Sequence, residues 1–341
     1  GVRVIRARRV ISRWPVGLLI TCGLLAAVLS QVDVEELRRG LAQARPLPFL
    51  AALVAVLFMR VFAAAHMCAV LHRQLFELSL VKVFAINLRT AFVSFFLPGH
   101  LAGGVVRWQL LTRQGAGRVD ALTAIGFDRL SDFSALLLTG FICSLLSRDS
   151  STPGLVPLLL GLMLAGTLML QLVVLSEKFF AASHAIGSRL GLLKWTWSAR
   201  AFEKLAVSVS AFRGLPAGYQ LRIWGWSLAS NITGLAFYYW LARAAGLGLG
   251  LFELGWVRSA ITALGMLPLT LAGLGVREGA MISLFAPYGV TPVVAVTVSL
   301  MLFLTGVVVA LAGGALVAYD LLAGGGWQPG SKATAEPRRH A

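Results

Sequence analysis

Several apolar runs in the chain are long enough to cross a lipid bilayer, and no other feature restricts its fold as much. The hydrocarbon core is about 30 Å thick, so a helix rising ~1.5 Å per residue needs about 20 apolar residues to span it. Six runs approach or exceed this length: residues 16–32, 46–71, 121–146, 155–175, 219–241 and 291–319. Only 13% of the 341 residues are charged, against about 25% in soluble domains. The sequence therefore predicts an all-α, polytopic membrane protein with six full spans.

The net charge of +16 indicates how these spans are oriented. Cytoplasmic loops of membrane proteins are rich in Lys and Arg and face an anionic lipid surface. Residues 1–15 carry five arginines and no acid, and residues 177–215 carry six basic residues against two acids. We therefore expect a protein of the cell membrane with both termini in the cytoplasm. Nucleic acid is not an expected partner, because the chain contains no recognition motif for it.

The sequence predicts no metal or other cofactor. Cys22, Cys68 and Cys143 lie far apart inside apolar runs, where cysteine behaves as a small hydrophobic residue. The five histidines show no metal-ligand spacing. No nucleotide-binding motif is present, so any transport is expected to proceed without ATP.

Two apolar segments share a Leu-Pro break followed by a Gly-rich turn. In each segment a Gly follows the Pro by five residues, at Gly103 and Gly273. A Val-Arg pair then places an arginine nine residues after the Pro, at Arg107 and Arg277. Paired interruptions of this kind in two halves of a membrane protein point to a transport site. The alternative is chance similarity, because Gly and Pro are common in membrane helices.

We interpret these two segments, residues 80–112 and 253–287, as re-entrant helical hairpins. Hairpins that enter from opposite faces form an inverted repeat and keep the basic clusters on the cytoplasmic side. Both belong to a single integral membrane domain that we place at residues 16–323. The alternative of eight full spans would violate the positive-inside rule around residues 177–215.

Three segments are predicted to lie outside the hydrocarbon core. Residues 1–15 form a basic cytoplasmic segment. Within residues 177–215, apolar side chains at helical spacing favour a helix lying in the cytoplasmic interface, with a flexible loop as the alternative. Residues 324–341 are rich in Gly, Pro and charge, which is typical of a disordered tail.

The span at residues 121–146 contains three charged residues on one side of a helix. With Asp128 at the origin of a 100° wheel, Asp132 lies near 40° and Arg129 near 100°. A charge near the bilayer centre costs roughly 2.5–3.5 kcal/mol, so these side chains are expected to face the protein interior or water. The alternative is a self-neutralising structural cluster in which Arg129 pairs with Asp132.

A further arginine is expected to join this cluster. Arg107 and Arg277 each begin a short helix in our interpretation, and helix N-termini attract anions. Two such termini near the midplane, with their arginines, would suit a phosphate headgroup. Glu278 can instead neutralise Arg277, which would suit a zwitterionic or cationic headgroup.

The substrate-binding residues that we predict are charged groups and glycines that allow close backbone approach: Arg107, Asp128, Arg129, Asp132, Arg277, Glu278, Gly103, Gly104, Gly273 and Gly275. Secondary candidates are three further arginines in apolar surroundings, each of which can equally snorkel to an interface: Arg60, Arg89 and Arg258.

These motifs resemble the transmembrane, flippase-like region of lysylphosphatidylglycerol synthases and its stand-alone relatives, over most of residues 15–320. The motifs are Leu97-Pro98 with Gly103-Gly104 and Arg107, then Asp128-Arg129, then Gly273-Leu274-Gly275-Val276-Arg277-Glu278. Two positions depart from the family pattern: Val105 stands where many relatives have an acid, and Asp128 where Glu is common. The aminoacyl-transferase domain of the family is absent, so synthesis of aminoacylated lipid is not expected.

The resemblance implies movement of a phospholipid or polyprenyl-linked lipid between leaflets. We expect a transporter rather than an enzyme, with a charged-headgroup lipid as its substrate and the anionic membrane surface as its surroundings. A homodimer or a lipid-synthesising partner enzyme is left open. The alternatives are a membrane scaffold that binds a partner through residues 177–215, and an intramembrane enzyme acting on lipid phosphates.

Overall fold

The computed structural model describes residues 44–73, 77–96, 100–147, 153–178, 215–265 and 276–322, with the isolated positions 35, 210, 212 and 213. Nine α-helices lie wholly within these ranges, and no strand occurs in them. The helices are α1 (Pro46–Arg73), α2 (Leu80–Phe96), α3 (His100–Arg113), α4 (Arg118–Leu146), α5 (Leu155–Leu175), α6 (Ala217–Ala244), α7 (Leu251–Gly265), α8 (Val276–Phe285) and α9 (Pro292–Leu322). The predicted all-α fold is confirmed for this part of the chain.

Four of these helices are long and apolar enough to cross a membrane, judged by length and composition. They are α1 over Pro46–His72, α4, α5, and α9 over Pro292–Asp320. The fifth predicted span coincides with α6, which has the length but carries polar residues along its middle. The first, at residues 16–32, lies outside the described residues, as do residues 1–15 and 324–341. A multi-pass membrane protein follows, whereas the count of six spans stays a prediction.

Both interrupted segments fold as pairs of helices. In the first, α2 and α3 pack against each other, and α2 also runs along α9. In the second, α7 packs against α8 and also against α4. The depth of these hairpins and their inverted arrangement remain predictions.

The helices pack around two apolar cores, one towards each end of the bundle. The most extensive helix–helix contact joins α1 to α6, and both pack against α4. Along these three helices, one core contains Ala64, Phe127 and Ile223, and the other contains Val56 and Leu137. By contrast, α5 exposes many leucines and methionines, as expected for a helix that faces lipid.

Small residues bring several helices into close contact. Gly140 of α4 lies against Ser259 of α7, and Gly255 of α7 lies against Cys143 of α4. Gly313 of α9 lies against the backbone carbonyl of Leu88 in α2. Such glycines let helix backbones approach closely, and the resulting van der Waals packing is one source of helix association within a membrane.

We expect Gly313→Ala to destabilise the protein, because its Cβ would overlap the Leu88 carbonyl, which cannot move aside as a side chain can. Overpacking of this kind lowers the free energy of unfolding by about 1–3 kcal/mol. Replacing Gly by Ala in a helix raises it by about 1 kcal/mol through helix propensity. Gly166→Ala in α5 is the matched control, since nothing lies near its Cβ. Thermal denaturation in detergent should show a lower midpoint for Gly313→Ala and an equal or higher one for Gly166→Ala. A rise in both would contradict the close α2–α9 contact.

Candidate functional site

Between the two apolar cores, charged and polar side chains from several helices form one layer. Arg60, Asp132 and Asn231 each lie within one residue of the midpoint of α1, α4 and α6 respectively. We call the following set the polar layer: Arg60 and His66 of α1, Arg107 of α3, Asp128, Arg129, Ser131 and Asp132 of α4, Ser227 and Asn231 of α6, and Arg258 of α7. In a helix that spans a bilayer, the midpoint lies near the bilayer centre, where a charged side chain exposed to lipid is most costly.

Asp128 is the centre of one half of the layer. It is only 5% exposed. Its Oδ1 lies 2.9 Å from His66 Nδ1, and its Oδ2 accepts a hydrogen bond of 3.1 Å from Arg107 Nη1. The first hairpin is thus joined to α1 and α4 by a buried carboxylate, and loss of either partner would leave an uncompensated buried charge.

Asp132 is held by different partners from those the sequence suggested. Its Oδ1 accepts hydrogen bonds from Asn231 Nδ2 at 3.2 Å and from Ser227 Oγ at 3.4 Å. The other amide atom of Asn231, Oδ1, accepts a hydrogen bond of 3.3 Å from Arg258 Nη2. Asn231 therefore links α4 to α7 through the middle of the bundle.

The alternative predicted from the sequence, in which Arg129 neutralises Asp132, does not agree with the structure. Among the described residues it forms no ion pair with Asp132, and its side chain is exposed. It lies close enough to Arg60 and Arg107 to act on both electrostatically. Charged side chains within membrane segments usually face the bundle interior or water rather than lipid, so we expect the exposed face of Arg129 to be in contact with water.

A second charged cluster lies where the second hairpin meets α9. Glu278 Oε1 accepts hydrogen bonds from Arg277 Nη2 at 2.9 Å and from Ser299 Oγ at 2.6 Å. Arg277 Nε also donates to Ser299 Oγ at 2.9 Å. Glu278 is buried and Arg277 is 22% exposed. Arg277 is therefore neutralised by its neighbour but keeps part of its guanidinium accessible.

Arg60 and Arg277 line the same cavity, which has a volume of about 170 Å³. Tyr238 of α6 and Thr305 of α9 supply its other polar side chains, and the rest of the lining is apolar. The Nε of Arg60 is buried without a hydrogen-bond partner among the described residues. A single water needs only about 10–15 Å³ on the same measure, so the cavity has room for a small polar group between two guanidinium groups.

The polar layer and the second cluster together carry an excess of positive charge. Five arginines, Arg60, Arg107, Arg129, Arg258 and Arg277, accompany three carboxylates, Asp128, Asp132 and Glu278. Burying unpaired charge is unfavourable unless a partner compensates it. Because Arg129 is exposed, four less exposed arginines accompany the three carboxylates, and the one uncompensated charge among them favours an anionic ligand.

Not every predicted site residue belongs to this region. Arg89 of α2 forms a two-point ion pair with Asp320 of α9, at 2.8 Å and 3.0 Å. Gly103 lies against Ser94 of α2, so it serves the contact between the hairpin arms. Nothing lies near the Cβ position of Gly104. Gly273 and Gly275 lie outside the described residues.

The expectation that Arg107 begins a short helix is wrong. Helix α3 begins at His100, which places Arg107 in its middle, away from the helix N-terminus. The helix runs through Gly103 and Gly104 because α2 packs along it and glycine is tolerated in membrane helices. Arg277 is the second residue of α8, as expected.

Sequence reasoning missed three residues that hold the site together: His66, Asn231 and Ser299. Each is an uncharged or weakly basic polar residue in a largely apolar helix, and its sequence position alone does not distinguish a site residue from an ordinary buried polar residue. Two of them have a signal in their placement, because His66 follows Arg60 by six residues and Asn231 lies at the centre of its helix. Arg60 was only a secondary candidate, yet it lines the cavity.

A sequence model described as the lysylphosphatidylglycerol synthase TM region matches residues 14–314. The match includes all nine helices described above except the last turns of α9. A search of curated proteins finds no match to this chain.

Proposed function

Because the chain belongs to the lysylphosphatidylglycerol synthase TM region family, whose name relates it to lipid handling in the membrane, we propose that it moves a lipid with an anionic phosphate headgroup between leaflets without ATP. The chain is proposed to act as a transporter and not as an enzyme. The cell membrane is its proposed location.

The observation that carries this proposal is the cavity shared by Arg60 and Arg277. Arginine forms paired hydrogen bonds with phosphate oxygens, and its planar group suits that geometry better than lysine does. The unpartnered Nε of Arg60 gives a buried donor that a phosphate oxygen would satisfy. An apolar lining beside these two groups suits a ligand whose headgroup is charged and whose acyl chains stay in lipid.

The proposed path has three parts. A headgroup first meets Arg129, whose side chain is exposed at the edge of the polar layer. It then passes to the cavity lined by Arg60 and Arg277, while Asp128 pairs with Arg107 and Glu278 compensates part of the Arg277 charge. Movement of the two hairpins would open the cavity to the other leaflet, as in transporters with sites between repeated elements.

A translocation assay with purified protein tests this proposal. Full-length protein is reconstituted into phosphatidylcholine vesicles with a trace of fluorescent phosphatidylglycerol, and an impermeant reductant removes fluorescence from the outer leaflet. We expect fluorescence to be lost to near completion with the protein and to about half in empty vesicles. The same assay is repeated with a fluorescent polyprenyl phosphate. If about half of the fluorescence remains with both lipids, although the reconstituted protein is correctly folded, lipid transport is wrong and the alternative function as a membrane scaffold is favoured.

A further inference from the structure

The His66 ring occupies a position in the polar layer that the proposed transport path does not use. It is only 2% exposed, between α1 and α4. Its Nδ1 faces the Asp128 carboxylate at 2.9 Å, and its Nε2 lies 3.1 Å from Ser131 Oγ. An ionised carboxylate only accepts hydrogen bonds, so Nδ1 carries a hydrogen whether the ring is neutral or protonated.

Ser131 allows the other ring nitrogen to change state. Its Oγ lies 3.1 Å from His66 Nε2 and 2.7 Å from the carbonyl oxygen of Phe127. With a neutral ring, the hydroxyl donates to Nε2. With a protonated ring, Nε2–H donates to Oγ and the hydroxyl turns to donate to Phe127. Both ring nitrogens are therefore hydrogen-bonded in either protonation state, and rotation of one hydroxyl accommodates the gain or loss of the proton at Nε2.

The proton on His66 affects Arg107 through the carboxylate that they share. Asp128 holds His66 with Oδ1 and Arg107 with Oδ2. When the ring is neutral, the carboxylate charge compensates Arg107 alone. When the ring is protonated, two cations share one anion, and Arg107 gains affinity for a further anion.

The charged groups that act on the ring come from two neighbouring helices. They are Asp128 and Asp132 of α4, and Arg107 of α3. Helices α2 and α6 also pack against α1, but their charged side chains have other surroundings. On α2, Lys82 is exposed and Arg89 pairs with Asp320. On α6, Arg222 lines a separate pocket beside His72, and Arg243 lies over the ring of Tyr239.

We propose that the His66–Asp128 pair with Ser131 is a proton-binding site, and that a proton bound there travels with an anionic headgroup in the same direction. The proton adds to the lone pair of Nε2 on one side of the membrane and leaves it on the other, so no bond in the lipid changes. This inference rests on the proposed lipid transport and adds its driving ion. Linkage is reciprocal, so an anion that favours the protonated ring is itself bound more tightly when the ring is protonated.

The first test imposes a pH gradient on the vesicles that contain fluorescent phosphatidylglycerol. Coupled movement of one proton with each lipid makes one pH unit worth a factor of about ten in the ratio between leaflets. We expect the lipid to accumulate in the leaflet on the alkaline side, and the accumulation to disappear when the gradient is dissipated. His66→Gln should abolish the gradient-dependent part. His72→Gln is the matched control, because His72 lies on the same helix but is exposed and pairs with the exposed Glu77.

A second measurement needs neither transport nor a variant that folds well. Imidazole nitrogen NMR of histidine-labelled full-length protein in phosphatidylcholine nanodiscs reports the protonated fraction of His66. At fixed pH, adding phosphatidylglycerol should increase that fraction. An unchanged fraction, together with equal leaflet distribution in wild-type vesicles that do translocate lipid, would overturn proton coupling and leave lipid transport intact. Absence of translocation in every vesicle would instead contradict the transport function itself.

Discussion

Replacing Arg60 with glutamine is expected to reduce lipid translocation by about 10- to 100-fold while leaving the helical fold intact. A hydrogen bond to a charged group contributes about 1.5–3 kcal/mol, which corresponds to this range in affinity. Arg60 is the cleaner target of the two cavity arginines. Removing Arg277 would leave the buried Glu278 carboxylate uncompensated and would damage stability as well.

A series of substitutions separates the effect of the Arg60 charge from the effect of its planar guanidinium group. Arg60→Lys keeps the charge but loses the planar fork, so its rate should fall between those of wild type and Arg60→Gln. Lys82→Gln is the control, because it removes one positive charge from an exposed position on α2. Equal translocation rates for wild type and Arg60→Gln, measured at limiting lipid, would remove the cavity from the transport path.

The second large effect is on stability: Asp128→Ala should lower the free energy of unfolding by about 3–5 kcal/mol, the usual cost of removing one partner of a buried ion pair. The substitution leaves both Arg107 and His66 without their acceptor. Asp128→Asn should cost less, since its side-chain oxygen can still accept one hydrogen bond.

The matched control for Asp128→Ala is Glu77→Ala, which removes the carboxylate of the exposed His72–Glu77 pair. Exposed ion pairs contribute about 0–1 kcal/mol to the free energy of unfolding. Heating in detergent, followed by tryptophan fluorescence and size-exclusion chromatography, measures the denaturation midpoint of each variant. Similar midpoints for Asp128→Ala and Glu77→Ala would mean that Asp128 does not hold the polar layer together.

The helices themselves were largely predictable from apolar run length. The runs at residues 46–71, 121–146, 155–175 and 291–319 agree with α1, α4, α5 and α9 to within three residues at each end. Apolar runs in a membrane protein must be helical, because lipid cannot satisfy backbone polar groups.

The pairing of charges was not predictable to the same extent. The partner of Arg89 is Asp320, 231 residues away, and nothing local in either helix indicates it. Asp128 and Asp132 are four residues apart on one helix, but one faces His66 and the other faces Asn231. Side-chain pairing depends on which helices pack together, and apolar run length does not indicate that packing.

The location of the headgroup tests the whole account most directly. A phospholipid with a photoreactive diazirine on its headgroup is added to vesicles that contain the full-length protein, and adducts are mapped by mass spectrometry after irradiation. We predict adducts on Tyr238 and Thr305 of the cavity, lost in Arg60→Gln. Adducts confined to residues near the helix ends, from protein that still translocates lipid, would contradict a path between Arg60 and Arg277.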